Sequence, residues 1–326
     1  MASKILFCPT QPPAVMEVVR ALTPAGFELI PADVDTPQFY EAAGQAEYYL
    51  GFARRMGNDF FRAAPNLKLV QLTSAGYDQV DPEAAKKAKV PVSNNGGANA
   101  IAVAEHTLML ILAVFKRCVQ FHNSVVAGNW RVGNPADVRV HEVSGATLGI
   151  VGLGNIGKKV ARRAKAFDMK VQYYDIKRLT EDQEDALGVR FVLFDELLRT
   201  SDVVSLHVPL DDTTRNLIGA RELGMMKRDA IVVNTCRGPV VDESALYQAL
   251  ANGTIFGAGL DVMVEEPPQA KHPLFSLQNV ILTPHTAGPT WENYIARFRN
   301  GFDNIQRVAA GRAPLWVVAG EPGRQS

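Results

Sequence analysis

An excess of charge of either sign is missing from this 326-residue chain, where 34 Lys and Arg stand against 34 Asp and Glu. Without a net field nothing draws the molecule to polyanions or to an anionic bilayer, so neither a nucleic-acid partner nor a membrane is expected. Cysteine is scarce. Cys8, Cys118 and Cys236 are odd in number and unrelated in context, matching neither a disulfide framework nor a metal-ligand spacing. A reducing compartment and no bound metal follow. The longest apolar run, Leu108 to Phe115, is too short to span a bilayer and reads as a buried helix. The start, Met1-Ala-Ser-Lys4, lacks the basic region, apolar stretch and cleavage site of a secretory signal, and the expected location is cytoplasmic. No repeat with a period of roughly 20–50 residues is evident.

What is present is the pattern of an α/β protein long enough for two buried cores. In the first hundred residues, strand-like runs at Ile5 to Phe7, Phe27 to Ile30, Tyr48 to Leu50, Leu67 to Leu72 and Val90 to Val92 alternate with helical stretches near Ala14 to Leu22 and Tyr40 to Ala43. Such alternation implies a parallel sheet with crossover helices. A helical pattern from about Ala100 to Val126, apolar on most faces, implies near-complete burial. After a loop from Gly128 to Ser144 come further strands at Gly188 to Val192, Val203 to Leu206, Ile231 to Asn234, Gly257 to Leu260 and Val280 to Leu282, then a last helix near Trp291 to Ala310.

The most informative stretch is Thr147 to Arg178. An apolar strand ends at Gly152, a turn carries Gly154 and Gly157, a helix runs to about Phe167, and a second strand stops at Asp175. Gly152 permits the tight turn, Gly154 lets backbone approach a pyrophosphate, and Gly157 allows close helix packing. The free N–H groups of Asn155, Ile156 and Gly157 then face an anion at the positive end of the helix. Asp175, 18 residues beyond Gly157, suits the two ribose hydroxyls of NAD and repels a 2′-phosphate. Lys177 and Arg178 could partly offset that repulsion. The expected cofactor is NAD.

Three later segments each begin as an apolar strand and end in charge. Arg237 follows one with a flexible Gly238, and its planar guanidinium suits a bidentate grip on a carboxylate. Glu266 and His285, 19 residues apart, both lie just past strand ends and can meet. A carboxylate beside the imidazole fixes its tautomer and favours its charged form, which makes a general acid for a carbonyl oxygen.

With these residues the chain resembles the D-isomer-specific 2-hydroxyacid dehydrogenases over nearly its whole length. The resemblance rests on Gly152-Leu-Gly-Asn-Ile-Gly157, on His207-Val-Pro-Leu210 with Thr213 and Thr214, and on Asn234-Thr-Cys-Arg-Gly238 with Val241-Asp-Glu243. It continues through Leu260-Asp-Val262 running to Glu266-Pro267, and Thr283-Pro-His-Thr-Ala-Gly288. It implies a doubly wound Rossmann nucleotide domain, residues 99–290. A smaller, discontinuous flavodoxin-like substrate domain, residues 1–98 and 291–326, would complete it, with a cleft between them. It implies that a small 2-keto acid and its D-2-hydroxy acid are interconverted by hydride transfer. Arg237 would hold the substrate, His285 would be the acid and base, and Glu266 would pair with His285. Asp261 would accept from the nicotinamide carboxamide. Asn155, Ile156, Thr235, Cys236 and Gly288 would line the cofactor, as would His207, Val208, Pro209 and Thr213, with His207 shaping the adenosine side. In Ser74-Ala-Gly-Tyr-Asp78, the N–H groups of Ala75 and Gly76 would receive the substrate carboxylate.

Departures from the family pattern are few. Cys236 stands where Ala or Ser is common, which would place a thiol beside the nicotinamide. Leu50-Gly-Phe52 lacks the Arg of many phosphoglycerate-specific members, which weighs against a phosphorylated substrate. Glu266 disfavours the formate-oxidising branch, which has Gln there, and Ala75 disfavours the phosphite-oxidising branch, which has Lys. The rival from another class is an NADH-sensing, corepressor-like binding protein with the same Arg, Glu and His. The family usually dimerises through the long helix and adjoining loop, and a homodimer is expected here.

Overall fold

The computed structural model describes residues 2–34, 36–52, 55–130 and 139–320. The chain divides into two compact units, one of residues 1–99 with 289–326 and one of residues 100–288.

In the first unit the sheet runs, edge to edge, Phe27–Pro31, Ser3–Cys8, Tyr48–Gly51, Leu69–Leu72, Val92–Ser93 and Val317–Ala319. The first five strands are parallel in flavodoxin-like order, and only Val317–Ala319 is antiparallel. Both faces are covered. One carries Leu6, Tyr49, Val70 and Val92 under the helices Pro37–Gln45, Asn58–Ala63 and Pro82–Ala88. The other carries Ile5, Phe7, Tyr48, Leu50 and Leu69 under Pro13–Leu22 and Trp291–Ala309. The last helix buries Phe298, Phe302 and Ile305 in that layer, each contributing about 1.5–3 kcal/mol from removal of apolar surface from water.

The second unit is a seven-stranded parallel sheet in the order Arg190–Phe191, Lys170–Tyr174, Thr147–Val151, Val203–Leu206, Ile231–Asn234, Gly257–Leu260 and Val280–Leu282. The order reverses at Thr147–Val151, whose neighbours are the next strand in sequence on one side and Val203–Leu206 on the other. In doubly wound sheets ligands bind beyond the strand ends at that reversal.

The helical pattern expected to run unbroken from Ala100 to Val126 is two helices, Ala100–Phe115 and Cys118–Val126, broken at Arg117 in the left-handed region with φ 51°. The first is largely buried and the second buries no residue. Burial therefore stops at the break, because beyond it only the apolar character continues, not the contact with the sheet. Short helices that the pattern did not reveal are Asn58–Ala63, Pro82–Ala88, Glu181–Leu187, Phe194–Thr200, Ala220–Met225 and Glu243–Ala251.

Replacing Phe302 by Ala should lower the stability of the first unit by about 3–5 kcal/mol, the cost of a large cavity in a packed layer. Urea unfolding followed by a probe in that unit measures it, and a loss below about 1 kcal/mol would contradict the packing described.

Candidate active site

The turn after Thr147–Val151 is shaped by what cannot fit in it. Gly152 has φ +91°, and a Cβ there would strike the carbonyl of His207. A Cβ on Gly157 would strike the carbonyl oxygen of Gly152, so the helix Asn155–Lys165 sits directly on the turn. Beside Gly154 there is open space. Four other helices begin with a capping side chain, from Thr36, Asp81, Asp242 or Thr290. This one begins with Gly154 and has none, which leaves the N–H groups of Asn155, Ile156 and Gly157 as donors for an anion.

Asp175 stands beside the same turn. Its Oδ2 accepts from Leu153 N at 2.7 Å and its Oδ1 from Lys177 N at 2.9 Å, so the carboxylate is fixed at the strand end. Arg178 is directed elsewhere. It grips Glu184 side-on, with Nε to Oε1 at 2.9 Å and Nη2 to Oε2 at 3.2 Å. Tyr173 Oη donates to the same carboxylate at 2.9 Å. The hydrogen bond from Arg178 holds the Glu184 carboxyl below the usual range and raises Arg178 in turn. The charge of Arg178 is therefore spent on Glu184 and does not offset Asp175. Open space at Gly154, free helix donors and a carboxylate from which Arg178 is diverted together fit the diphosphate and ribose of NAD.

His207 follows Val203–Leu206, and its Nε2 is 2.8 Å from Ser205 Oγ, while Nδ1 is buried without a partner. Burial lowers its pKa from 6.5 to about 3. Val208 packs against the Gly152 turn, Pro209 O accepts from Thr214 Oγ1, and Thr213 donates both N–H and hydroxyl to Asp211.

At the next strand end Asn234 organises the backbone. Its Oδ1 accepts from the N–H and thiol of Cys236, and its Nδ2 donates to Arg237 O at 2.8 Å. Burial pushes the Cys236 thiol up to about 11, so it stays protonated and unreactive. Thr235 Oγ1 meets Thr107 Oγ1 at 3.1 Å, and Arg237 Nη1 donates to Cys236 O at 2.7 Å.

Glu266 and His285 are brought together, with Oε2 and Nδ1 2.7 Å apart. The other oxygen of Glu266 accepts from Met263 N at 3.0 Å. Partial burial of Glu266 would raise its pKa, but the hydrogen bond from His285, the Met263 N–H and the charges of His285 and Arg237 outweigh that and lower it. The imidazole is 46% exposed, and its Nε2 makes no hydrogen bond among the described residues.

The loop bearing His285 hangs on Asp261, which is 1% exposed. Asp261 Oδ1 accepts from Thr283 Oγ1 at 2.6 Å and Thr286 N at 2.8 Å, and Oδ2 accepts from Ala287 N at 2.9 Å. His106, on the buried helix, reaches Thr283 Oγ1 through Nε2 at 2.9 Å. Neither His106 nor Thr283 had a role in the sequence reading, and their spacing of 177 residues carries no signal that could have shown it. Gly288 ends this loop. Ala75 and Gly76 belong to the first unit, after Leu69–Leu72, and neither N–H has a partner among the described residues. Among those residues no group of His, Cys, Asp and Glu could hold a metal, and no helix is long and apolar enough to cross a membrane.

Residues 108–287 match the family model described as D-isomer specific 2-hydroxyacid dehydrogenase, NAD binding domain. A glyoxylate reductase of Korarchaeum cryptofilum is 46% identical over 261 residues, covering 80% of this chain and 78% of its own. A glyoxylate reductase of Aeropyrum pernix is 38% identical over 317 residues, covering 92% and 94%. Among solved structures, the D-mandelate dehydrogenase of Rhodotorula graminis has a TM-score of 0.86 at 30% identity, over 98% of this chain and 100% of its own.

The buried His207 gives a pH prediction with a fixed sign. Between its folded value of about 3 and its ordinary 6.5 the unfolded chain binds a proton that the folded chain refuses. Stability is thus complete above pH 6.5 and is lost as pH falls toward 3, by at most about 1.4 kcal/mol per pH unit. His207→Asn should show a shallower acid limb in denaturant titrations; an unchanged slope would assign the proton uptake to another group.

Proposed function

The chain belongs to the D-isomer specific 2-hydroxyacid dehydrogenase family and is an NAD-dependent oxidoreductase, and we propose that it interconverts a small 2-keto acid and its D-2-hydroxy acid with His285 as acid and base. The observation that carries this is the 2.7 Å contact between Glu266 and His285 Nδ1, which turns Nε2 outward as the proton-bearing nitrogen. NADH, when bound, supplies the hydride to the keto carbon. His285 Nε2 delivers the proton to the keto oxygen, and ionised Glu266 stabilises the imidazolium before transfer. Arg237 grips the substrate and opposes the charge developing on that oxygen. Ala75 and Gly76 offer free N–H groups to the substrate carboxylate.

The cofactor is held by the turn from Gly152 to Gly157, including Gly154, Asn155 and Ile156, by Asp175, and by His207, Val208, Pro209 and Thr213. Thr235, Cys236, Arg237, Asp261, His285 and Gly288 surround the nicotinamide. Asp261 has already accepted three hydrogen bonds, and a carboxylate has about four acceptor positions; the one left is on Oδ2, for the carboxamide. Relatives named glyoxylate reductase and hydroxypyruvate reductase support a small keto acid as substrate.

The chain also pairs with a second copy of itself in this reading. Helix Cys118–Val126 exposes Val119, Phe121, Val125 and Val126, and Trp130 follows it. Apolar residues gathered on one helix in this way mark a contact surface.

Steady-state assays with glyoxylate, hydroxypyruvate and pyruvate should show oxidation of NADH, with NADPH a poorer donor. His285→Ala should lower kcat/KM by about 10²–10⁴-fold. NADH binding without turnover of any of them would point instead to a sensor. Sedimentation at micromolar concentration should give twice the chain mass, with Val125→Asp displacing the equilibrium to monomer; a monomeric wild type would refute the pairing.

A further inference from the structure

The first unit contains a buried cation that its own carboxylates do not neutralise. Arg297 is 4% exposed, yet it forms no ion pair among the described residues, and its Nε is buried without an acceptor. Burial lowers the guanidinium only to about 10, with Tyr294 opposing the fall, so it stays charged near neutral pH. The rings of Tyr294, Phe298 and Phe52 lie 4.2, 5.0 and 5.1 Å from it. Rings satisfy the faces of a cation and leave its in-plane N–H groups to other acceptors; the Tyr294 side chain supplies one hydrogen bond, and Nε has none.

Two further donors share this condition. Asn293 lies four residues earlier, on the same face of the helix, is 5% exposed, and has Nδ2 buried without an acceptor. Asn95, just past Val92–Ser93, is also buried with an unpartnered Nδ2. Its backbone links the helix to the substrate loop: Asn95 N donates to Ser74 O at 3.0 Å, and Asn95 O accepts from Asn300 Nδ2 at 3.0 Å. Phe52 follows Tyr48–Gly51, which pairs with the strand leading into Ser74, Ala75 and Gly76. These donors therefore belong to the carboxyl edge of the sheet that also carries the proposed carboxylate receiver. Buried donors are nearly always paired in folded proteins, and three left unpaired at one sheet edge, with Ser93 Oγ and Asn99 Oδ1 also unpaired beside Asn95, suit an acceptor from outside the chain.

We propose that Arg297, with Asn293 and Asn95, receives a second anionic group on the substrate, so that the enzyme prefers 2-keto acids bearing a further carboxylate or phosphate to uncharged analogues of similar length. This rests on the oxidoreductase reading above.

Matched pairs test it: 2-oxoglutarate against 2-oxopentanoate for a carboxylate, and 3-phosphohydroxypyruvate against hydroxypyruvate for a phosphate. At least one anionic member should exceed its partner in kcat/KM by about tenfold or more. Arg297→Met fills the space without the charge and should bring that ratio near one while changing hydroxypyruvate turnover less than about threefold; Arg297→Lys should restore part of the ratio. No preference in the wild type, or an equal loss on both members of each pair, overturns the proposal while leaving the oxidoreductase reading intact. If no keto acid is turned over, thermal melting still decides. A larger upshift with 2-oxoglutarate than with 2-oxopentanoate, abolished by Arg297→Met, supports the site, and equal shifts overturn it.

Discussion

The demand of one buried carboxylate for hydrogen bonds fixes the reactive end of the nucleotide-binding unit. Asp261 is almost fully withdrawn from water at the end of Gly257–Leu260, and an anion so placed is tolerable only with donors around it. The donors come from the next segment: the hydroxyl of Thr283 and the N–H groups of Thr286 and Ala287. Satisfying them curls the chain so tightly that His285 takes φ 54°, a left-handed conformation that costs a non-glycine residue about 1–2 kcal/mol. The strain is held because three hydrogen bonds oppose its release, and the backbone of His285 adds a fourth tie by donating to Asp261 O at 2.8 Å. The position of the imidazole is thus a consequence of where a different residue is buried.

The same logic separates the two cationic side chains that follow Asp175. Lys177 gives its backbone N–H to Asp175, whereas Arg178 gives its side chain to Glu184 and lies 5.2 Å from the ring of Phe191. A guanidinium already paired side-on with a carboxylate presents little net field to a third group. In the proposed reading, preference for NAD rests on two carboxylates: Asp175 at the ribose, and Glu184 holding the Arg178 guanidinium.

Much of this was legible in the residues, and the rest has a physical reason for being hidden. The strands Val203–Leu206 and Ile231–Asn234 were readable to the residue because a parallel strand buried on both faces is a continuous apolar run. Helices of six or seven residues, such as Asn58–Ala63 and Phe194–Thr200, hold fewer than two turns, too little for a 3.6-residue period to stand out. Val317–Ala319 pairs antiparallel with Val92–Ser93, a partner more than two hundred residues away, and no local pattern announces it. Glu266 and His285 were legible as candidates because both end strands. Their contact, the Arg178–Glu184 pair and the tie from His106 through Thr283 are matters of side-chain direction, which sequence spacing does not encode.

Two departures from ordinary structural economy lie where chemistry is proposed, a helix start without a cap and buried donors without acceptors. Helices starting after Thr36, Asp81, Asp242 and Thr290 have a side chain closing their first turn, and those beginning at Pro13, Asn58, Cys118 and Phe194 do not; the bare helix after Gly154 differs from these in starting on the glycine turn with open space beside it. Glu184 has its acceptors occupied by Arg178 and Tyr173, while Arg297 Nε and Asn293 Nδ2 are buried without acceptors, as is Arg117 Nε in the second unit. The chain therefore has the means to cap helices and to pair buried groups, and uses them at some places and not at others. A missing partner is best sought in a ligand where a second observation agrees: open space beside the bare helix start at Gly154, or several buried donors gathered at one sheet edge with Arg297.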